Sequence, residues 1–98
     1  MSRSFTGKYQ VIETKKFKKD LRRQLRRGKQ LDKLYNAVNA LSRGEKLPWK
    51  YHDHALTGRR QGLRDCHIEP DWVLIYKIDH DKLILLLSET GSHSDLDL

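Results

Sequence analysis

A chain of 98 residues has room for one modest hydrophobic core, and with 37% hydrophobic against 34% charged residues that core forms only if the apolar side chains gather on few faces. The net charge of +7 is unevenly placed: residues 1–50 carry 15 Lys and Arg against 4 Asp and Glu, whereas residues 51–98 carry 5 against 9. The basic half is built to attract a polyanion, either nucleic acid or an acidic protein, while no apolar run approaches membrane-spanning length and the N-terminus lacks a signal peptide's apolar core.

Residues 1–7 are small, polar and unpatterned, a loose start. Residues 9–13 are rich in β-branched and aromatic side chains and alternate, as an edge or early strand does. From Thr14, suited to cap a helix, Phe17, Leu21 and Leu25 recur at four-residue spacing among Lys and Arg, which predicts an amphipathic helix with a thin apolar stripe. Gly28 ends it, with Arg26 and Arg27 placed where cations suit the helix dipole. Leu31, Leu34, Tyr35, Val38 and Leu41 keep the spacing of a second helix, stopped by Ser42-Arg43-Gly44, so the two form a helical hairpin. Residues 45–50 read as a loop.

The stretch 51–77 concentrates chemistry. It holds three of the five histidines and three arginines, and it runs directly into an apolar segment. Residues 63–69 alternate as a strand with Asp65, His67 and Glu69 on one face and Arg64, Cys66 and Ile68 on the other. Glu69-Pro70-Asp71-Trp72 has the residues of a type I turn. The following WVLIYKI is apolar almost throughout and predicts a central strand buried on both faces. Asp79-His80-Asp81 turns the chain, and residues 82–87 return as the third strand of a meander. The order predicts an α+β domain over residues 1–98: an N-terminal strand, a helical hairpin, then a three-stranded antiparallel meander, with the helices packed on one face of the sheet. The opposite face is the expected floor of a binding surface. The single cysteine excludes an intrachain disulfide framework and suits a reducing compartment, so a cytoplasmic location is expected.

Metal binding is a weak reading. His52, Asp53 and His54 could supply ligands, with His67 and Asp71 to complete a site, but there is no HExxH or paired-cysteine spacing, and no metal or other cofactor is expected. Cys66 alternates away from His67 and reads as a small core residue. Cleavage of RNA suits the residues better. It needs a base for the 2′-hydroxyl proton, an acid for the leaving 5′-oxygen, and positive charge for the transition state. Histidines can divide the first two tasks near neutral pH. The candidates are His54, His67 and His93, with Arg59, Arg60 or Arg64 on the phosphate.

Three motifs then carry a resemblance: His54-Ala55-Leu56-Thr57-Gly58, the run from Arg64 to Tyr76 (RDCHIEPDWVLIY), and Thr90-Gly91-Ser92-His93-Ser94-Asp95-Leu96. Together they resemble the YafQ-type branch of the RelE/ParE toxin superfamily, whose members are type II toxin–antitoxin mRNA interferases. The resemblance implies a RelE-like fold and a ribosome-dependent endoribonuclease that cleaves mRNA in the A site without a metal. Its partners would be a cognate antitoxin, mRNA and the 70S ribosome, whose RNA the basic hairpin would contact, and no membrane. The family's functional residues fall on His54, Asp65, His67, Asp71, Trp72 and His93. His93 would be the acid, His54 or His67 the base, Asp65 and Asp71 would orient the imidazoles, and Trp72 would shape the RNA-binding site. Two positions depart from the pattern: Glu89 stands where relatives often carry a cation, and Asp97-Leu98 where they usually close with an aromatic. The alternatives are a ParE-like binding toxin that inhibits a protein such as gyrase, or a degenerate member that only binds its antitoxin.

Overall fold

The computed structural model describes residues 7–98, so the expectation for the first six residues lies outside it. Strand β1 (Gln10–Glu13) leads into helix α1 (Lys15–Arg26), followed by helix α2 (Leu31–Ser42). A 3-10 turn at Trp49–Tyr51 precedes the two-residue strand β2 (His54–Ala55), and a second such turn occupies Gly58–Arg60. Strands β3 (Arg64–Glu69), β4 (Trp72–Asp79) and β5 (Ile84–Gly91) complete the chain. The sheet has five strands in the order β1-β5-β4-β3-β2, and β4 is its middle strand. All pairs are antiparallel except β1 with β5. This is the α+β order expected, with β2 as an added edge strand too short for periodicity to reveal.

The hairpin forms for the reasons its sequence suggests. The Thr14 hydroxyl accepts from the Phe17 amide at 2.9 Å, and Gly28 takes a left-handed φ of 86° just past the C-terminus of α1. The helices cover one face of the sheet. Phe17, Leu34, Val38 and Leu41 pack there with Cys66, Trp72, Leu74, Tyr76, Leu85 and Leu87. The other face carries a smaller cluster, in which Val73, Ile75 and Leu96 are joined by Leu56 and Leu63. Among the described residues no helix is long and apolar enough to cross a membrane.

Three local expectations are corrected. Leu25 does not belong to the buried stripe of α1; it is exposed, and Asp20 and Gln24 are buried with Phe17 instead. Their polar ends find partners on the last strand and the turn after it, which repays their burial. The third meander strand starts later and runs further, from Ile84 to Gly91, because Asp79 Oδ1 accepts from the amides of Asp81 and Lys82 at 3.1 and 2.9 Å and lengthens the turn. Glu69 does not share the face of Asp65 and His67. A bulge between His67 and Glu69 breaks the alternation, and the Glu69 carboxylate reaches Lys29 and Lys33 of the helical hairpin at 2.8 and 2.9 Å. The centre of the open face is filled by the smaller cluster, and Asp65 and His67, paired with Ile75 and Val73, lie on that face toward the β3–β2 edge of the sheet.

Candidate active site

Four imidazoles gather at that edge, each delivered by a different piece of backbone. His67 comes from β3, whose pairing with β4 places it opposite Val73. His54 comes from β2, opposite Asp65. His52 closes the first 3-10 turn in a left-handed conformation with φ 48°, and His93 lies just beyond the end of β5. The ring centroids of His67 and His93 are 5.1 Å apart and nearly perpendicular, at 84°. Those of His52 and His67 are 5.5 Å apart. Beside them opens a cleft of about 830 Å³, lined by Lys33 and Asn36 from α2, by Lys50, Tyr51 and His52, and by His54 and His67.

Each outer histidine has a carboxylate. Asp71, in the β3–β4 turn, accepts from both the backbone amide of His93 at 2.8 Å and its Nδ1 at 2.7 Å. These two bonds, the backbone one first, hold the Asp71 carboxyl below its ordinary value. With Nδ1–H donating to Asp71, Nε2 is left as the proton-exchanging atom of His93. His54 is held differently. Its Nδ1 lies 2.7 Å from the His52 carbonyl, the shorter of its two polar contacts, and 3.1 Å from Asp65 Oδ1. Asp65 Oδ1 is therefore buried without a hydrogen bond among the described residues. Burial pushes the Asp65 carboxyl up, against the charges of His54, His67 and His93, which pull it down. The same burial, helped by the neighbouring imidazoles, pushes His67 down and so keeps it neutral near pH 7, although Asp65 opposes the shift.

The turn that carries His93 is anchored to α1. Asp95 accepts from the Ser92 amide at 2.9 Å, from Gln24 Nε2 at 3.1 Å and from Arg27 at 2.6 Å. These bonds, Arg27's first, hold its carboxyl far below the usual range. Gly91 is required by close approach: a Cβ there would stand 2.9 Å from Asp95 Cβ. Thr90 is fixed by donating to the Val73 carbonyl at 2.8 Å and by its amide donating to Asp20 at 3.2 Å.

Sequence reasoning named His54, Asp65, His67, Asp71 and His93, and the structure brings these five together. It does not bring the arginines or Trp72 with them. Trp72 is fully buried on the helix side, its Nε1 donating to Thr90 Oγ1 at 2.9 Å, so no RNA base can stack on it. Arg64 alternates away from Asp65 and binds Asp53 at 3.2 Å. Arg60 pairs with Glu89 at 3.2 Å, and Arg59 lies 3.5 Å from Asp97. None of the three lines the cleft, whose cations among the described residues are Lys33 and Lys50. Glu89 thus takes up Arg60, and Lys16 at 3.3 Å. Asp53 is turned from its flanking histidines by accepting from Tyr76 OH at 2.6 Å, and among the described residues no group of three His, Cys, Asp or Glu could hold a metal ion. Burial raises the Cys66 thiol far above its ordinary value, which keeps it protonated and unreactive. In the sequence His52 reads only as a candidate metal ligand. Its place beside His67 depends on a left-handed turn that no local spacing announces.

A sequence model of the family described as the bacterial toxin of type II toxin–antitoxin systems, YafQ, matches residues 9–98. The chain belongs to the YafQ toxin family. The mRNA interferase toxin YafQ of Escherichia coli is 42% identical over 81 residues, covering 82% of this chain and 86% of that protein. Among solved structures, the E. coli DinJ-YafQ toxin–antitoxin complex superposes with a TM-score of 0.82 at 34% identity, over 91% of this chain and 97% of that one. A metal-bound toxin from Helicobacter pylori does so with a TM-score of 0.85 at 39% identity, over 90% and 98%. The YafQ fold is thus shared over the whole region that carries the histidines.

Proposed function

We propose that this chain is the toxin of a type II toxin–antitoxin pair and an mRNA interferase, an endoribonuclease that cuts mRNA in the ribosomal A site. The observation that carries the reading is the perpendicular His67–His93 pair at 5.1 Å, with one ring desolvated and the other bonded to a carboxylate. Kinship with a toxin named an mRNA interferase supports the activity. His67, kept neutral, takes the proton from the 2′-hydroxyl, and the 2′-oxygen attacks phosphorus. His93, oriented by Asp71, gives a proton from Nε2 to the departing 5′-oxygen. The bond to the 5′-oxygen breaks, leaving a 2′,3′-cyclic phosphate and a 5′-hydroxyl. Asp65 stabilises the imidazolium formed at His67, and His54 is placed beside it as a second acceptor. Lys50, with Lys33 in part because it also neutralises Glu69, rather than the arginines, provides the cleft's positive charge.

The basic hairpin face is suited to ribosomal RNA, and binding there would weaken steeply with salt. A cognate antitoxin is the protein partner, supported by the relative solved in complex with DinJ. The cytoplasm, where translating ribosomes are, is the matching location. The test supplies translating ribosomes with a defined mRNA and maps the ends. Cleavage within the A-site codon that disappears in His93→Ala is expected, and active ribosomes with no cut at any codon would overturn the proposal.

A further inference from the structure

Trp49 is the one large apolar side chain of the described residues left almost wholly in solvent, at 85% exposure, where other exposed ones lie between 37% and 44%. It opens the 3-10 turn Trp49–Tyr51, whose next three residues, Lys50, Tyr51 and His52, line the cleft. Its ring meets the His52 ring edge-on, with centroids 6.2 Å apart at 88°. His52 in turn stands 5.5 Å from His67, and His67 5.1 Å from His93. A continuous file of four rings therefore leads from an exposed indole to the groups that exchange protons. The core makes no use of this indole, since it packs against little besides His52.

We propose that Trp49 is a substrate-positioning stacking platform, on which an unpaired mRNA base next to the scissile phosphate lies while Lys50 holds an adjoining phosphate. This rests on the nuclease reading and adds the element that the site otherwise lacks. The motif resemblance leads one to expect an aromatic at the C-terminus, where this chain has Asp97-Leu98, and Trp72 is sealed in the core. Every nucleobase offers a π-face, and an indole presents a large complementary surface for it. The charge around the turn favours a polyanion, and the indole face suits a nucleobase better than an acidic side chain. Lys33 and Lys50 border the cleft, and its one lining carboxylate, Glu69, is already neutralised by Lys29 and Lys33. Because the side chain buries so little, its removal leaves the fold intact, and its loss can be read as lost binding.

The test has two arms. In the first, the intact protein is titrated with a short single-stranded RNA whose 2′-O-methyl groups prevent reaction, and tryptophan fluorescence is followed. Trp72 is buried, so quenching reports on Trp49. Saturable quenching in the wild type, and at least tenfold weaker RNA binding by Trp49→Ala measured with a labelled oligonucleotide, are expected. In the second, ribosome-dependent cleavage is measured for Trp49→Ala and Trp49→Phe. Trp49→Ala should raise KM about tenfold with kcat and codon profile little changed, and Trp49→Phe should restore most of the loss. Unchanged KM in Trp49→Ala, with no quenching in the wild type, overturns the proposal. So does a Trp49→Ala protein that loses antitoxin affinity while binding and cutting RNA normally, which would make the indole a protein-docking residue. A wild-type chain that cuts nothing defeats the nuclease reading instead, and the stacking proposal is then decided by the titration alone.

Discussion

The two ends of the histidine cluster are built in opposite ways. At one end His93 is held by Asp71 through both amide and imidazole, and its turn is tied to α1 through Asp95, Gln24 and Arg27. At the other, His54 sits in a two-residue strand, exposed, and its nearest carboxylate has an oxygen with no hydrogen bond among the described residues. Proton donation to a leaving group demands fixed geometry, whereas the side proposed to take the 2′-hydroxyl proton can be completed by the bound substrate itself. The difference separates a preorganised proposed acid from a proposed base region that carries an electrostatic cost.

The strongest way to break this comparison is at the fixed end. His93→Ala removes the proposed acid and should lower kcat on ribosomes by roughly 10²–10⁴-fold, with antitoxin binding retained. Asp71→Asn leaves the ring in place but loses the acceptor that selects its tautomer, and single-turnover cleavage should fall by about 10–100-fold. Asp95→Ala acts at one remove. It deprives the turn of its anchor and should destabilise the fold by about 1–2 kcal/mol in urea unfolding near neutral pH, with a milder loss of activity. Because the folded Asp95 titrates below its ordinary 3.8, its contribution is fully present above that value and fades as pH falls below it.

At the loose end the expected sign reverses. Asp65 titrates above its ordinary 3.8 in the folded state, so the native protein binds more protons than the unfolded chain as pH rises from 3.8 through the raised value, and stability is lost across that interval. Asp65→Asn removes this cost. Its Tm at pH 7 should rise by a few degrees or so while cleavage slows, a separation that thermal denaturation and a kinetic assay read together. His67, lowered from 6.5, should place the acidic limb of the pH–rate profile below that value, activity rising with pH as the ring loses its proton. A limb above 6.5 would show that another group is the base.

Much of this was legible in the residues. The helical hairpin, the buried central strand and the five clustered His and Asp positions followed from periodicity, turn residues and motif resemblance. Leu25 misled because spacing by four fits an apolar stripe, yet a helix turns 3.6 residues at a time and the polar Asp20 and Gln24 had partners waiting across the fold. The arginines misled for a related reason. A cation near a histidine in sequence is drawn to whichever carboxylate the fold places within reach, and here those were Asp53, Glu89 and Asp97.

The sequence by itself determined the elements, the basic character of the hairpin and the identity of the groups able to move protons, because these depend on side-chain type and on spacing within a few residues. Only the tertiary structure decided which of them meet. The close approach of Gly91 to Asp95 and the left-handed turn at His52 join positions through backbone geometry and contacts across the chain, and the file of rings from Trp49 to His93 exists only once those contacts have formed.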